Sequence, residues 1–511
     1  MPDRPSSDPG PGDDPSGHAD AVAAAQRRAV AELARLAPTA TDLGRRFAAA
    51  GHEVALVGGS VRDALLGRLG GAAEFDLDFA TSARPEQTEQ VLARWGDAHW
   101  DAGRAFGTIG ARRGDVVVEV TTYRTDEYDP ASRKPVVAFG DTLEGDLSRR
   151  DFTVNAMALR LPDLTFVDPF DGLGDLARSL LRTPVTPEQS FDDDPLRMMR
   201  AARFASQLGF DPAPEVVAAA TAMAARIEIV SAERVRTELE KLLLGAFPRR
   251  GLRLLVDTGL ADHVLPELPA LRLEIDEHHR HKDVYEHTLT VLEQAVALEE
   301  SPDLVLRLAA LLHDIGKPAT RRFEGGGGVS FHHHEVVGAK LAAKRLRALR
   351  FDKETVKAVS RLVELHLRFH GYGDGEWTDS AVRRYVTDAG PLLDRLHKLT
   401  RSDSTTRNQR KAARLSAAYD DLEARIVRLS QEEELAAVRP ELDGAAIMAV
   451  LGIEPGPLVG RAYQHLLQVR LDAGLIGAEH ARRELLDWWS RQPESTSGSA
   501  PVPAEGPTDR D

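Results

Sequence analysis

Apolar positions set the outline of the chain. Residues 20 to 50 are rich in alanine with apolar residues at helical spacing, which predicts a helix leading into the core. A short apolar run, Val54–Val57, predicts a buried strand. Gly58 and Gly59 break it, Ser60 stands as the expected helix cap, and VRDALLG (Val61–Gly67) returns to helical spacing. FDLDFA (Phe75–Ala80) alternates as a strand does, and VVVEVTTYR (Val116–Arg124) is a strong strand pattern. Mixed signals continue to about Leu161. From about Pro212 helical periodicity takes over, clearest in SAERVRTELEKLLLG (Ser231–Gly245), and it returns from about Lys411. Turn formers dominate Tyr128–Gly140 and predict a mobile loop. The Pro/Gly/Asp/Ser-rich first 20 residues and the stretch after about Arg491 are expected to be disordered.

Composition narrows the possibilities. A chain of 511 residues has room for three or four domains. It contains no cysteine, which excludes disulfides and thiolate metal sites and suits a reducing compartment. No apolar run reaches membrane-spanning length, and the N-terminal segment lacks the basic and apolar regions of a signal peptide. The expectation is a cytoplasmic protein with no membrane partner. A formal net charge of −15 argues against a general nucleic-acid coat. A polynucleotide partner would need local clusters of arginine and lysine.

The stretch Leu56–Thr81 carries chemistry. A glycine turn feeding a helix N-terminus presents free N–H groups to phosphate. Asp76 and Asp78 follow on alternate strand positions, so both carboxylates are expected on one face. Two carboxylates beside a phosphate cradle can hold Mg2+, and two ions can clamp both oxygens of an in-line displacement. Glu119 is either a third carboxylate near these ions or a solvent-facing strand residue. GGSVRD followed by DLD resembles the nucleotidyltransferases of the DNA polymerase β superfamily. Within it, the segment is most similar to the class II CCA-adding tRNA nucleotidyltransferases and bacterial poly(A) polymerases.

Other stretches extend the resemblance. RRDFTVNAMA (Arg149–Ala158) is similar to the family's second motif, and guanidinium forks suit a triphosphate. In FDDDPLRMMRAARFASQLGF (Phe191–Phe210), Asp194 reads as an N-cap followed by Pro195 at the first helical position. Arg197, Arg200 and Arg203 recur every three residues on one broad face. The family's nucleotide-selecting motif has an acid and an arginine at Asp194 and Arg197. The family often has Glu-Asp where this chain has an acid run, so Asp193 takes the Glu place. Cytosine and adenine share an amine beside a ring-nitrogen acceptor; a carboxylate accepts from the first and a guanidinium donates to the second. Uracil and guanine reverse the pattern and would leave buried groups unpaired. Gly59, Arg62 and Arg150 are expected to hold the nucleotide, with Arg200 and Arg203 as contacts to sugar, phosphate or base. In the resembling family a flexible loop helps the pocket change its nucleotide, and Tyr128–Gly140 occupies that position.

A second constellation begins near His278. His313-Asp314 follows the apolar stripe LAALL, and histidines and acids recur on both sides. This order resembles the HD metal-dependent phosphohydrolase domain, which implies His287, His313, Asp314 and Asp403 as ligands. His334 and His366 stand where some HD domains place further ligands. Imidazole and carboxylate together suit Mn, Ni, Fe, Zn or Mg. His278, His279, His281, His332 and His333 are expected to be non-ligands.

The expected fold is α+β: a polymerase-β-like head with a small mixed sheet and helices, then all-α neck, HD and tail domains. The expected boundaries are a disordered tail at 1–20, the head at 21–180 and a nucleotide-selecting, RNA-binding neck at 181–270. An HD domain at 271–410, a tRNA-binding helical tail at 411–490 and a disordered end at 491–511 follow. The resemblance implies template-independent addition of C, C and A to the tRNA 3′ end from CTP and ATP, with Mg2+ in the head and a divalent metal in the HD domain. Poly(A) polymerase and A-adding tRNA nucleotidyltransferase stay open within the class. An HD phosphohydrolase whose head only binds RNA is the reading from another class.

Overall fold

The computed structural model describes residues 38–68, 75–127, 136–140, 142–272, 283–324, 328–369, 377–405, 408–433 and 438–496. The chain forms two compact units. One is residues 1–272 with 345–351, and the other is 273–344 with 352–511.

The first unit opens with a helix at residues 38–49, the described part of the alanine-rich segment. The strands of its head are β1 (Val54–Val57), β2 (Phe75–Thr81), β3 (Ala98–Trp100), β4 (Thr108–Arg113), β5 (Val116–Thr122), β6 (Arg124–Glu127), β7 (Val136–Phe139), β8 (Ala158–Leu161) and β9 (Thr165–Val167). Seven of them make a mixed sheet in the order β3-β4-β5-β2-β1-β8-β9. β2 and β5 run parallel and the other pairs antiparallel. The register sets Asp76 opposite Val117 and Asp78 opposite Glu119. On one face of the sheet, Ala55, Val57, Ala80 and Ala158 form a buried cluster with Tyr123, Leu143, Leu147 and Ala156.

β6 and β7 form a separate hairpin. The predicted loop Tyr128–Gly140 is therefore partly strand: Val136–Phe139 pairs with Arg124–Glu127, while 128–135 lie outside the described residues. The unbroken apolar run VVAF suits a pleated ribbon better than a loop.

Helices follow the head. Leu196–Leu208 packs on Ala232–Leu243 and Pro248–Asp257. Gly251 permits the close approach, since a Cβ there would lie 2.5 Å from the Ala202 carbonyl oxygen. A two-stranded parallel pair, β10 (Leu180–Leu181) with β11 (Asp211–Pro212), joins the two ends of this region.

The second unit is helical around a core that includes Leu289, Leu292, Leu306, Ala309, Leu362, Leu396 and Leu399, all buried. Its one departure among the described residues is a hairpin of β12 (Arg322–Glu324) and β13 (Gly328–Ser330). Toward the C-terminus, the helices Gly444–Leu451, Pro457–Ala473 and Ala478–Ser490 enclose their own cluster around Ile447, Leu466 and Leu485. Of the expected disordered ends, 1–20 and 497–511 lie outside the described residues, as do 21–37 of the expected leading helix, but Pro493–Thr496 forms a short 3-10 turn. Among the described residues no helix is long and apolar enough to cross a membrane.

Candidate active sites

Strand β1 ends at Val57, and the chain turns through Gly58 with φ +73° before the helix Gly59–Leu65. Gly58, not the expected Ser60, is the N-cap; Ser60 sits buried inside the helix. Only glycine suits Gly58: the left-handed conformation strains any side chain, and a Cβ would lie 2.7 Å from Arg150 Nη1. The turn thereby brings its backbone against one guanidinium of the predicted arginine pair.

That turn forms part of the wall of a cavity of ≈ 590 Å³. Gly59, Arg62, Asp78, Arg149, Arg150, Asp194, Arg197, Arg200 and Arg203 all line it, so nine residues read from separate sequence stretches meet in one place. Eight basic side chains face four carboxylates there, which suits a polyanion although the whole chain is acidic. Asp78 is solvent-exposed on β2. Asp76 is two residues earlier on the same strand, and its side chain lies outside the described residues. Glu119 is beside Asp78 in register but is not among the residues lining the cavity.

Carboxylates that the sequence reading passed over fix the arginines. Asp146, buried on the helix Leu143–Ser148, accepts from Arg149 Nε at 3.3 Å through one oxygen and from Arg150 Nη2 at 3.2 Å through the other. Asp151 is buried as well. Its Oδ1 accepts from Phe152 N and Asn155 Nδ2, and its Oδ2 faces Arg200 Nη2 at 2.8 Å. Asn155 Oδ1 in turn accepts from Arg62 Nη1 at 2.7 Å. A polar chain thus runs from the helix Gly59–Leu65 through Asn155 and Asp151 to the arginine helix. Burial alone would raise the Asp151 carboxyl, but Arg200, the Asn155 amide and Arg203 outweigh it and hold the group below the usual carboxylate range.

The arginine helix begins at Leu196, one residue later than the Asp194-Pro195 cap pattern implies, yet Asp194 Oδ1 still accepts the Leu196 N–H at 3.1 Å. Its other oxygen accepts from Arg234 Nη2 at 2.7 Å. Arg197 is buried, donating to Ser190 O and Oγ and to the Arg149 carbonyl. Arg203 donates to Glu238 at 2.6 Å and lies over the Phe204 ring. Arg234, Glu238 and Lys241 all come from Ala232–Leu243, which no local signal connects to the cavity. Asp151 and Asn155 left a signal that could have found them: they sit four apart inside RRDFTVNAMA.

The second unit gathers the other constellation. His287 lies in the first turns of Val284–Ala297, and His313-Asp314 closes Leu304–Leu312. His334 opens His334–Ala348, His366 follows Lys353–Leu365, and Asp403 ends Leu393–Asp403. His287, His313 and Asp403 offer ligand atoms within 4.8 Å of one another, and so do Asp314, His334 and His366. Asp314 bridges the two groups, with Oδ2 3.2 Å from His313 Nε2 and Oδ1 3.3 Å from His334 Nε2.

Each buried imidazole is oriented. Nδ1 of His313, His334 and His366 contacts the carbonyl oxygen of Ala310, Phe331 and Val363 at 2.8, 2.8 and 2.7 Å. Such a bond fixes the tautomer with the Nε2 lone pair directed inward. The three Nε2 atoms are buried without a hydrogen-bond partner, a cost that a bound cation would offset. Burial above all pushes the His366 imidazole down to about 3, so it is neutral at pH 7 and ready to coordinate. The donor set thus fits divalent metal. His332 and His333, expected as non-ligands, are largely exposed; His278, His279 and His281 lie outside the described residues.

Comparison with known proteins matches this division. Residues 54–182 match the poly A polymerase head domain, 209–271 the probable RNA and SrmB-binding site of polymerase A, and 284–430 the HD domain. The A-adding tRNA nucleotidyltransferase of Deinococcus radiodurans is 34% identical over 87% of this chain and 96% of its own length. The chain belongs to the class II tRNA nucleotidyltransferases. Another member, the CC-adding tRNA nucleotidyltransferase of Thermus thermophilus, is 33% identical over 88% of this chain and 96% of its own. The Bacillus stearothermophilus CCA-adding enzyme, solved in complex with CTP, superposes with a TM-score of 0.64 at 26% identity, covering 89% of this chain and 98% of that one. As a nucleotidyltransferase of this family the chain is an enzyme. The mixed-sheet head with helical domains after it is the fold shared with the Bacillus stearothermophilus enzyme.

Proposed function

We propose that this nucleotidyltransferase adds C, C and A to the 3′ end of tRNA from CTP and ATP, without a nucleic-acid template. One observation carries the reading: Asp78, the Arg149–Arg150 pair and Asp194 with Arg197 converge on a single basic cavity. Arg149 and Arg150, held apart by Asp146, take the triphosphate oxygens. Gly59 and Arg62 complete that side. Asp194 accepts the exocyclic amine shared by cytosine and adenine, and Arg197 donates to the neighbouring ring nitrogen. Asp76 and Asp78 would hold Mg2+, which when bound supplies charge neutralisation at the attacking 3′-oxygen and the departing pyrophosphate. We assign residues 181–270 to guiding the primer and 411–490 to the tRNA body. A cytoplasmic location fits the substrates and the cysteine-free chain.

The test is to supply CTP and ATP to a tRNA lacking its last three nucleotides and to sequence the product ends. Addition of C, C and A followed by arrest is expected, and Asp78→Asn lowers the rate by roughly 10²–10³-fold, the order that loss of charge stabilisation at a transition state produces. Long A tails on arbitrary RNA with CTP ignored would refute the reading. The full-length similarity to the Deinococcus A-adding enzyme favours a second reading, addition of A alone. Extension only of tRNA already ending in CC would select it.

In the second unit, the six converging ligands support a metal-dependent phosphohydrolase site for which His287, His313, Asp314, His334, His366 and Asp403 supply the donors. There water oxygen would bond to phosphorus while the ester oxygen leaves with a proton. A bound divalent ion lowers the pKa of water and polarises the phosphoryl group.

A further inference from the structure

The hairpin β12–β13 interrupts the stretch between two of the converging ligands. Asp314 is eight residues before Arg322, and His334 is four residues after Ser330. Its base is tied to the ligands. Lys317 Nζ donates to Asp314 at 2.6 Å and lies 5.8 Å from the centre of the Phe331 ring. The Phe331 carbonyl accepts from His334 Nδ1. Phe323 pairs with Val329 in register, so it stands only two residue pairs, on the order of 10 Å, from that base.

Phe323 is 73% exposed. The Arg321 guanidinium lies over its ring at 4.7 Å, and Arg322 extends the positive charge on the neighbouring position. Glu324, 3.7 Å from His332, is the acid on this strand. No other large exposed apolar side chain occurs on the described part of the hairpin. One ring among cations makes a poor protein-docking patch, which needs contiguous apolar area. A ring backed by a guanidinium, with arginine and lysine nearby, is instead what a single-stranded nucleic acid uses: a base stacks on the aromatic and phosphates meet the cations.

We propose that this hairpin docks the single-stranded end of an RNA, stacking a base on Phe323 and steering the adjoining phosphate toward the cluster at Asp314. RNA is the occupant because the head of this same chain belongs to a family that extends RNA ends. The proposal rests on the hydrolase reading of the HD site for its catalytic consequence, but not for binding.

Two measurements on the full-length, manganese-loaded protein separate these. In the first, a short oligoribonucleotide with 4-thiouridine at its 3′ end is photocrosslinked, and the tryptic peptide 323–340 is examined. A crosslink there in the wild type, falling roughly tenfold in Phe323→Ala and restored in Phe323→Trp, is expected for one stacked base. Crosslinks confined to other peptides, or an unchanged yield in Phe323→Ala, would overturn the docking proposal. In the second, turnover of a 3′-phosphorylated oligoribonucleotide is compared with that of bis(p-nitrophenyl) phosphate. The ratio should fall about tenfold in Phe323→Ala through KM. A wild type that hydrolyses neither ester refutes the hydrolase reading while the crosslink still decides docking. A crosslink to a co-purifying protein in place of RNA would likewise overturn it.

Discussion

Asp194 touches two partners that compete for its role. One oxygen caps the arginine helix and the other holds Arg234. Removing the carboxylate therefore deletes an acceptor for the base amine and loosens the helix start together. Asp194→Ala is expected to lower use of both CTP and ATP and to relax rejection of UTP and GTP. Incorporation of each of the four nucleotides measures this, and intact discrimination would defeat the base-reading role. Asp151 gives a pH-dependent prediction. Its folded pKa is depressed, so its contribution to stability is present above the unfolded value near pH 4 and is lost as pH falls through the folded value. Asp151→Asn should cost about 2 kcal/mol at pH 7, less than the ~3–5 kcal/mol of a fully buried pair because Arg200 is partly exposed. Urea unfolding of both proteins at pH 7 and pH 3 should show the gap narrowing at the lower pH. At this scale, the arginines and Asp78 of the cavity wall were legible because their spacing is local. Asp146 was not, since an acid four residues before an arginine reads as an ordinary helix surface pair until the fold buries it.

Elements approach one another where glycine allows. A Cβ on Gly316 would lie 2.1 Å from the His334 carbonyl oxygen and 2.7 Å from Gly338 N, both backbone atoms. Gly316→Ala should therefore push the helix His334–Ala348 outward and pull His334 away from Asp314. The expected result is loss of about half the bound manganese, at a stability cost of roughly 1–3 kcal/mol for overpacking, with nucleotide addition retained. Elemental analysis and thermal unfolding read both; undiminished metal would place His334 outside the ligand set. The long helices and the core strands were visible in their periodicity. The hairpin β12–β13 was not, because its strands are three residues each and flank a glycine run that carries no alternation. Gly58 as cap was missed because Ser60 has the better side chain, while the turn selects for backbone freedom at the point nearest Arg150.

Across the whole molecule, two clusters of chemistry lie in two separate compact units. Their activities should separate. The double variant His313→Ala, Asp314→Ala is expected to lose its HD metal while adding nucleotides at a rate within about twofold of wild type, since sites that share no partners combine nearly additively. Metal content equal to that of the wild type would reject the ligand assignment. The net charge of −15 concealed the basic cavity, because its arginines are recruited from stretches that are each locally balanced. Composition reports a sum over the surface, whereas a polyanion responds to the field inside one concavity.

The position of β1 in its sheet has a consequence for how the protein comes into being. Val54 pairs with Thr81 on one side and with Leu161 on the other. The neighbouring β2 joins β5 in parallel only after the intervening helix, β3 and β4 have been laid down. Pairings this distant in sequence bear the loop-closure entropy before any contact rewards it, and they slow folding. The strand carrying Asp78 thus gains its last neighbour late, and the sheet behind the glycine turn closes only once β8 exists. A nascent chain that stops short of Ala158 would leave β1 with an unpaired edge beside the glycine turn. Completion of the sheet around the strand that carries Asp78 is accordingly late in the birth of the head.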